Sequence, residues 1–251
     1  MYSQNRIYIS ESEQERMREF KIVFGGLGLG SYIAEFALRM GFENLHLIDG
    51  DVVELSNLNR QNYTQSNIEK PKCVALYERL KQINPHANIT YANVYLTAEN
   101  MAEHLDGADV AVNAIDFTSD APFIFDDVCA AMNIPAVHPY NLGFGGAVCV
   151  VTKESENLRH LSDTYKGMEI HVVNHVLASL DKQGVDTNAL KNALAKYMAE
   201  QGTKQPPQLS IGVGYLVGLC ADIFFSILRN EPVSTFPEFY YMSRERSKLH
   251  S

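Results

Sequence analysis

The sequence predicts an α/β protein built on a doubly wound, mostly parallel sheet. The main observation is that short apolar runs alternate with helical patterns from about residue 20 to residue 150. Parallel strands need long crossover connections, which helices usually supply, so this alternation favours parallel pairing. A second observation is size, because 251 residues, 46% of them hydrophobic and 20% charged, suffice to bury a core.

The elements can be placed in chain order from these patterns. The apolar runs that predict strands lie at 20–24, 44–49, 88–96, 108–116, 134–138 and 143–152. The helical patterns between them lie at 31–42, 73–83 and 123–132. The last strand is entered through a glycine turn, and its direction in the sheet stays open.

The second half of the chain differs in character. Residues 153–208 are polar and helical in pattern and end at a double proline, which predicts a helical insertion that acts as a lid or a partner-facing module. Residues 209–251 return with an apolar helix and a tail rich in Pro and aromatic residues, which predicts a closing strand or edge segment. We therefore predict a single domain over residues 1–251.

The stretch 209–228 has the length of a membrane span, and Asp222 is the only charge among its 20 residues. That central charge, three glycines and the lack of a basic flank before it favour a core or subunit-interface helix. We expect no membrane contact.

Composition argues against two classes of function. The 21 Lys and Arg against 30 Asp and Glu give a net charge of −9, whereas nucleic-acid binding depends on dense positive charge. The four cysteines, Cys73, Cys129, Cys149 and Cys220, form no C-x-x-C pair, so we expect no zinc. The N-terminus lacks an apolar signal segment, which predicts a cytoplasmic protein.

A glycine loop, with Gly25, Gly26, Gly28 and Gly30, follows the first strand and opens the first helix. Such a loop lets the backbone approach a phosphate and present helix N-terminal amides to it. It departs from the dinucleotide fingerprint, because Ser31 stands where the third glycine belongs, and it lacks the Lys-Ser/Thr pair of a Walker loop. A tight turn with no ligand is the alternative.

Further motifs follow the next strands. Asp49 and Asp51 end the second strand, and Asp49 has the spacing from the glycine loop at which a carboxylate meets a ribose hydroxyl. A carboxylate that caps a turn is the alternative for Asp49. Beyond them lie S-N-L-N-R-Q at 56–61, K-P-K at 70–72 and a strand-terminal Asp116.

In this order and spacing, the motifs resemble those of the ThiF/MoeB-type adenylyltransferases, a superfamily that includes the ubiquitin-activating enzymes. The resemblance covers about residues 6–152. It implies a Rossmann-like fold that binds ATP beside the glycine loop, together with Mg²⁺. The residues it places at the nucleotide are Asp49, which would hold the ribose, Asp51 beside it, Asn57, Arg60, Gln61 and Lys72 around the phosphates, and Asp116 as the metal ligand.

The resemblance also implies catalytic roles for Arg60, Lys72 and Asp116. Arg6 resembles an early arginine that, in homodimeric members, reaches the phosphates of the neighbouring subunit. Fixed positive charges and Mg²⁺ suit the reaction, because a carboxylate that is already ionised needs no general base when it attacks phosphorus. We expect a homodimer with residues 209–251 as its closing and dimerisation segment, because the helix at 209–228 is too apolar to lie exposed on a soluble monomer.

The implied activity is ATP-dependent activation of a C-terminal carboxylate as an acyl adenylate, with release of pyrophosphate. The substrate would be a ubiquitin-like protein, a sulfur-carrier protein or a peptide. One alternative is a nicotinamide-dependent oxidoreductase, which the broken fingerprint disfavours. A non-catalytic nucleotide-binding scaffold is the other, and Arg60, Lys72 and Asp116 speak against it.

Two departures from the family pattern matter. Leu27 stands where the family loop has glycine, so the loop conformation is expected to differ. Residues 150–219 contain no cysteine, although thioester-forming members carry their nucleophile there. We therefore predict no enzyme-bound thioester and structural roles for the cysteines, with Cys73 as the only one near the phosphates. His138, at a strand end, is a candidate for the acyl-acceptor channel or for packing.

Overall fold

The computed structural model describes residues 1–200 and 204–244. Its centre is a seven-stranded sheet. The strands are β1 (Lys21–Gly25), β2 (Asn44–Ile48), β3 (Asn88–Ala92), β4 (Val110–Asn113), β5 (Ala136–Asn141), β6 (Gly145–Val151) and β7 (Tyr240–Ser243). The α-helices are α1 (Glu11–Glu19), α2 (Gly30–Met40), α3 (Lys72–Ile83), α4 (Met101–Leu105), α5 (Ala121–Ala131), α6 (Met168–Lys182), α7 (Asn188–Ala199) and α8 (Ser210–Leu228).

The strand order is β3-β2-β1-β4-β5-β6-β7. Strands β1 to β5 run parallel to one another, β6 runs antiparallel to β5, and β7 runs antiparallel to β6 and so returns to the direction of β1. This arrangement confirms the predicted doubly wound, mostly parallel sheet and supplies the direction of β6. The chain moves outward from β1 to β3 and then returns to the other side of β1, so a crevice opens at the carboxyl ends of β1 and β4. Ligands of open α/β sheets bind at such a switch point.

Two predicted strands are shorter in the structure. The run 88–96 leaves the sheet after Ala92, and the run 108–116 leaves it after Asn113. The apolar pattern continues past both strand ends, where Leu96, Ala114 and Ile115 pack in loops against the core and Val94 and Tyr95 are exposed. The second loop brings Asp116 to the crevice.

The central strands fill a core on each face of the sheet. Ile22 and Phe24 of β1 pack with α2, α3 and α8, whereas Val23 between them packs with α4 and α5. All three side chains are fully buried. Strands covered on both faces have continuous apolar sequences, which explains the clear strand signal.

Helix α1 is absent from the predicted elements. Its N-terminus carries a capping box, in which Ser10 Oγ accepts a hydrogen bond from Glu13 N at 3.2 Å and Ser10 N donates to the Glu13 carboxylate at 2.8 Å. The S-x-x-E spacing is the sequence signal that marks this helix start.

The described part of the insertion 153–208 contains α6 and α7. Helix α6 buries Val172, Val176 and Leu180, whereas α7 has no fully buried side chain and packs on α6. Residues 204–209 lead back to α8 without regular structure, and residues 201–203 lie outside the described part. The helical character of the insertion is therefore confirmed, and its role as a lid or partner-facing module stays a prediction.

Helix α8 is long and apolar enough to cross a membrane, by length and composition. In the structure Leu216, Cys220 and Phe224 are fully buried in the core that α8 shares with α2 and the sheet. Its outer side carries Gly214 and Gly218. Core packing therefore accounts for much of its apolar composition.

The tail after α8 ends in β7, which pairs antiparallel with β6 at the edge of the sheet. This is the closing edge strand that the sequence predicts. Residues 245–251 of the predicted closing segment lie outside the described residues.

Candidate active site

The loop after β1 forms the floor of the crevice. Gly26 has a φ of +88°, and a Cβ there would lie 2.3 Å from the carbonyl oxygen of Ala114. Hydrogen bonds from Gly26 N to Ile48 O at 3.0 Å and from Ala114 N to Gly25 O at 2.8 Å join three strand ends at this point. Only glycine fits this close approach. The predicted glycine loop therefore lies at the switch point of the sheet.

The rest of the loop leads into α2, which begins at Gly30. A Cβ at Gly28 would lie 3.3 Å from the side-chain nitrogen of Gln61, so this glycine makes room for a neighbouring loop. Leu27 is fully buried in the core and does not adopt the left-handed conformation. Leu27, which stands where the family loop has glycine, therefore holds the loop to the apolar core.

Asp49 ties the glycine loop to the turn after β2. Its carboxylate accepts hydrogen bonds from Leu27 N at 2.7 Å and from Asp51 N at 2.8 Å. Burial raises the pKa of Asp49, and the positive charge of Lys72 opposes that rise. A carboxylate offers roughly four acceptor sites, so two remain for donors such as sugar hydroxyls.

Asp51 contacts protein side chains with both carboxylate oxygens. One oxygen pairs with Nζ of Lys72 at 2.8 Å, and the other accepts a hydrogen bond from Tyr95 OH at 2.9 Å. Burial raises the pKa of Asp51, but the hydrogen bond and charge of Lys72 outweigh burial, and the net pKa is lowered. Asp51 therefore holds the ammonium group of Lys72 at the crevice.

Lys72 is the first residue of α3, and its side chain is only 10% exposed. Its backbone N–H donates to the carbonyl of Asp51 at 2.9 Å, so both ends of this lysine are held by one residue. Lys70, two positions earlier, instead pairs with Glu78 near the surface. The K-P-K motif thus brings one lysine to the crevice.

The S-N-L-N-R-Q segment includes a turn of 3₁₀ helix at Leu55–Asn57. Asn57 is buried, and its side-chain oxygen accepts a hydrogen bond from Glu54 N at 3.0 Å. Its carbonyl accepts one from Gln61 N at 2.9 Å. Asn57 therefore shapes the loop that presents Arg60.

The guanidinium of Arg60 is held on one side. Its Nε donates to Gln208 Oε1 at 2.8 Å, and its Nη1 donates to Ser56 O and Asn59 Oδ1, both at 2.9 Å. An arginine has five N–H donors, and the hydrogen bonds of the described residues use three of them. The two donors on Nη2 remain for an anion, which a guanidinium binds well.

The side-chain oxygen of Gln61 is buried and has no hydrogen-bond partner among the described residues. An acceptor left in this state costs about 1–3 kcal/mol, so native proteins usually satisfy it. Because Gln61 lies beside Gly28, a donor from a ligand or an ordered water at the glycine loop would satisfy it.

Asp116 lies beyond β4, on the other side of the crevice, and its side chain contacts solvent. Desolvation by the surrounding protein nevertheless raises the pKa of its carboxyl, Lys72 and Arg60 lower it, and the negative charge of Asp51 raises it. Ala114, two residues before Asp116, contacts Gly25 and Gly26, so Asp116 follows a strand end beside the glycine loop, where the charges of Lys72, Arg60 and Asp51 act on it.

The chain matches a known protein family and several curated proteins. A model of the ThiF family matches residues 2–248. The chain belongs to the ThiF family. Curated relatives include the sulfur carrier protein ThiS adenylyltransferase of Escherichia coli (strain K12), 33% identical over 141 residues, or 55% of this chain and 56% of that protein. The molybdopterin-synthase adenylyltransferase of Haemophilus influenzae is 32% identical over 157 residues, or 61% and 64%. The chain thus spans less than two thirds of these curated relatives.

Solved structures share the fold. An E. coli MccB structure has a TM-score of 0.66 at 16% identity, covering 94% of this chain and 65% of MccB. The E. coli tRNA N6-threonylcarbamoyladenosine dehydratase TcdA has a TM-score of 0.65 at 19% identity, covering 91% of this chain and 94% of TcdA. At these identities the likeness concerns the Rossmann-like architecture.

The early arginine of this ThiF-family chain lies far from its own crevice. Arg6 is exposed and donates to Ser3 O at 3.2 Å, while its neighbour Asn5 donates through Nδ2 to Met40 O at 2.8 Å. Met40 ends α2, an 11-residue helix that begins at the glycine loop, and such a helix is about 16 Å long. A role for Arg6 at the phosphates would require a neighbouring subunit.

All four cysteines are free and buried. Burial raises the pKa of Cys73, of Cys129 and of Cys220, and it raises that of Cys149 to about 12. The thiolate is the nucleophilic form of cysteine, so these surroundings disfavour nucleophilic catalysis. Cys73, next to Lys72, points into the main core of this ThiF-family protein.

His138, predicted at a strand end, instead lies inside β5 and is buried. Its Nε2 lies 2.8 Å from the carboxylate of Asp126, although the angles are not those of a hydrogen bond. Asp126 also accepts a hydrogen bond from Asn113 Nδ2 at 3.0 Å. This position matches the packing alternative for His138, because the side chain does not reach an open channel.

Two residues that contact the site are absent from the predicted site residues. Tyr95 contacts Asp51, 44 residues away in the chain, and Gln208 contacts Arg60, 148 residues away. Both lie in loops, where periodicity gives no signal, so only folding reveals them.

Proposed function

We propose that this chain is an ATP- and Mg²⁺-dependent adenylyltransferase that activates a C-terminal carboxylate as an acyl adenylate. The observation that carries this proposal is the convergence of Lys72, Arg60 and Asp116 around the glycine loop of a ThiF-family fold. In the reaction, a carboxylate oxygen bonds to the α-phosphorus of ATP, and the bond between that phosphorus and the bridging oxygen to the β-phosphate breaks. Pyrophosphate leaves with the electron pair.

The side chains at the crevice fit the charges of this step. Two anions must approach each other, and negative charge builds on the phosphates as pyrophosphate departs. Lys72 and the free edge of Arg60 supply fixed positive charge at that place, which is the kind of preorganised stabilisation that lowers such barriers. Asp49 and the unpaired oxygen of Gln61 offer acceptors for nucleotide hydroxyl or water donors.

Asp116 is suited to be a protein ligand of Mg²⁺. Its solvent-facing carboxylate has a raised pKa, so the ionised form lacks full compensation from the protein and favours a cation. The described residues contain no group of three or more His, Cys, Asp or Glu that could hold a metal. Mg²⁺ commonly uses one or two carboxylates together with phosphates and water, so a single Asp116 is compatible. Mg²⁺ would neutralise phosphate charge.

The substrate we propose is a ubiquitin-like or sulfur-carrier protein, or a peptide. Curated relatives include adenylyltransferases of sulfur-carrier proteins and a SAMP-activating enzyme E1, and one solved MccB structure contains MccA. Another relative is a tRNA threonylcarbamoyladenosine dehydratase. The net charge of −9 makes RNA the less fitting substrate class.

The test is ATP–pyrophosphate exchange with labelled pyrophosphate. The candidate substrates are small ubiquitin-like or sulfur-carrier proteins encoded beside the gene, together with peptides, each paired with a version whose C-terminus is amidated. Exchange that needs the free carboxylate would support adenylation. ATP binding without exchange for any candidate would favour the scaffold alternative, and binding of a nicotinamide cofactor would favour the oxidoreductase.

We also propose a homodimer. Arg6, Ile7 and Tyr8 are exposed near the end of α2, with Ile7 and Tyr8 at 93% and 87% exposure, and Tyr32 and Phe36 of α2 are partly exposed as well. Large apolar side chains exposed along a helix and in the segment beside its end are typical of a protein interface. In the proposed dimer, pairing through this surface would bring Arg6 to the crevice of the partner.

Light scattering is expected to give a mass near twice 28.1 kDa. A mixture of refolded Arg6→Ala and Asp116→Ala chains is expected to regain activity, because one crevice of each mixed dimer then combines an intact Asp116 with the partner's intact Arg6. Either variant alone would stay inactive. A monomer, or a mixed dimer without activity, would contradict the role of Arg6 across the interface.

No cysteine is expected to form a thioester with the substrate. Single replacement of Cys73, Cys129, Cys149 or Cys220 by Ala should leave exchange intact in variants that fold, since the thiols are buried and their pKa values raised. Non-reducing gels of enzyme, ATP and substrate provide the measurement. A reductant-sensitive adduct that disappears with one replacement would identify a nucleophile and refute this prediction.

A further inference from the structure

We propose that Tyr95 is a positioning residue for adenylation, because its hydroxyl holds Asp51 and Asp51 holds the ammonium group of Lys72. The kinetic effect that we expect from Tyr95 rests on the proposed function. The contacts of Tyr95 with Asp51 and of Asp51 with Lys72 rest on the geometry alone.

The chain of contacts is continuous. Tyr95 OH donates to one carboxylate oxygen of Asp51 at 2.9 Å, and the other oxygen lies 2.8 Å from Lys72 Nζ. The backbone N–H of Lys72 also donates to the carbonyl oxygen of Asp51 at 2.9 Å, so Asp51 contacts both the backbone and the side chain of Lys72. The carboxylate is therefore shared between two donors, one on each oxygen.

The ring of Tyr95 is fixed although the residue is 67% exposed. It lies directly against Gly50, where a Cβ would come within 2.9 Å of three ring atoms. The carbonyl of Tyr95 accepts a hydrogen bond from Asn100 Nδ2 at 3.0 Å. An exposed tyrosine held by a glycine, an amide and a carboxylate has a defined orientation, as a positioning role requires.

The hydroxyl remains a donor at neutral pH. Its hydrogen bond to Asp51 raises the pKa of Tyr95 above its ordinary value, so the phenol stays protonated. Asp51 is ionised under the same conditions, because the Lys72 contact lowers its pKa despite the effect of burial.

Sharing the carboxylate matters for where Lys72 points. A lysine ammonium is a compact charge with three donors on a flexible stem, so a neighbouring acceptor decides its place. With Tyr95 on one oxygen, Lys72 meets the other oxygen only, and its remaining donors are left for phosphate. Without the hydroxyl, Asp51 is free to rotate and engage Lys72 with both oxygens, which draws the ammonium away from the crevice.

The test compares Tyr95→Phe with a matched control, Tyr91→Phe. Tyr91 is also a partly exposed tyrosine, on β3, and its ring lies 4.9 Å from that of Tyr77 between centroids. The expected result is that Tyr95→Phe lowers kcat for pyrophosphate exchange about two- to tenfold, with a smaller change in KM for ATP. Tyr91→Phe is expected to match the unmodified chain.

A second readout does not depend on activity. Nitrogen-15 NMR of labelled lysine side chains, with the Lys72 signal assigned from Lys72→Arg, reports the mobility of the ammonium group. We expect the ammonium group of Lys72 to be more mobile in Tyr95→Phe than in the unmodified chain. In Tyr91→Phe we expect its mobility to be unchanged. An unchanged Lys72 signal in Tyr95→Phe would overturn the proposal, as would unchanged kcat in an enzyme that exchanges pyrophosphate. A changed signal in a chain that shows no exchange would uphold the contact and count against the proposed function.

Discussion

Asp116→Ala is expected to lower pyrophosphate exchange at least about 1000-fold, because it removes the proposed protein ligand of Mg²⁺. A metal that neutralises phosphate charge supplies several kcal/mol of transition-state stabilisation, and each 1.36 kcal/mol corresponds to tenfold in rate. Lys72 and Arg60 would remain, but they are placed by other contacts and cannot substitute for the metal. The measurement is exchange at saturating ATP with the cognate carboxylate substrate.

The fold is expected to survive this change. The pKa of Asp116 is raised in the folded chain, so folding disfavours its ionised form, and the ionised group opposes stability once the pH rises above its unfolded pKa. At neutral pH, Asp116→Ala and the closer analogue Asp116→Asn should therefore each unfold at the same temperature as the unmodified chain or a higher one, measured by circular dichroism without nucleotide. Exchange at the unmodified rate in folded Asp116→Ala would refute the assignment.

Lys72→Ala and Arg60→Ala should each lower kcat for exchange about 100- to 1000-fold, with a smaller rise in KM for ATP. The reason is that their charges meet negative charge that grows as pyrophosphate leaves, so they act more strongly on the transition state than on bound ATP. Steady-state kinetics with varied ATP separates the two effects.

Lys70→Ala is the matched control for Lys72→Ala. Lys70 belongs to the same K-P-K motif, but it pairs with Glu78 instead of Asp51. It should keep nearly normal kinetics. For Arg60, the control is Arg159→Ala, because Arg159 pairs with Asp127 at the surface. A rise in KM alone for Lys72→Ala or Arg60→Ala would show uniform ATP binding and contradict their catalytic roles.

Much of the fold follows from local sequence features. The buried strands on either side of the crevice are apolar on both faces, and the helices between them have apolar periodicity, so the parallel sheet was predictable. Gly26 was predictable as well, since a glycine between strand and helix indicates a backbone conformation or approach that other residues resist. The same local features did not predict the residues at which the strands end or the direction of β6.

The site divides in the same way. The sequence by itself determined that Asp49, Arg60, Lys72 and Asp116 belong to one motif set, because their order and spacing resemble a known family. The tertiary structure alone decided that Asp51 faces Lys72 and Tyr95, and that Gln208 holds Arg60. Spacing along a chain specifies which strand end a residue follows, whereas the partner of a side chain depends on how separate loops meet after folding.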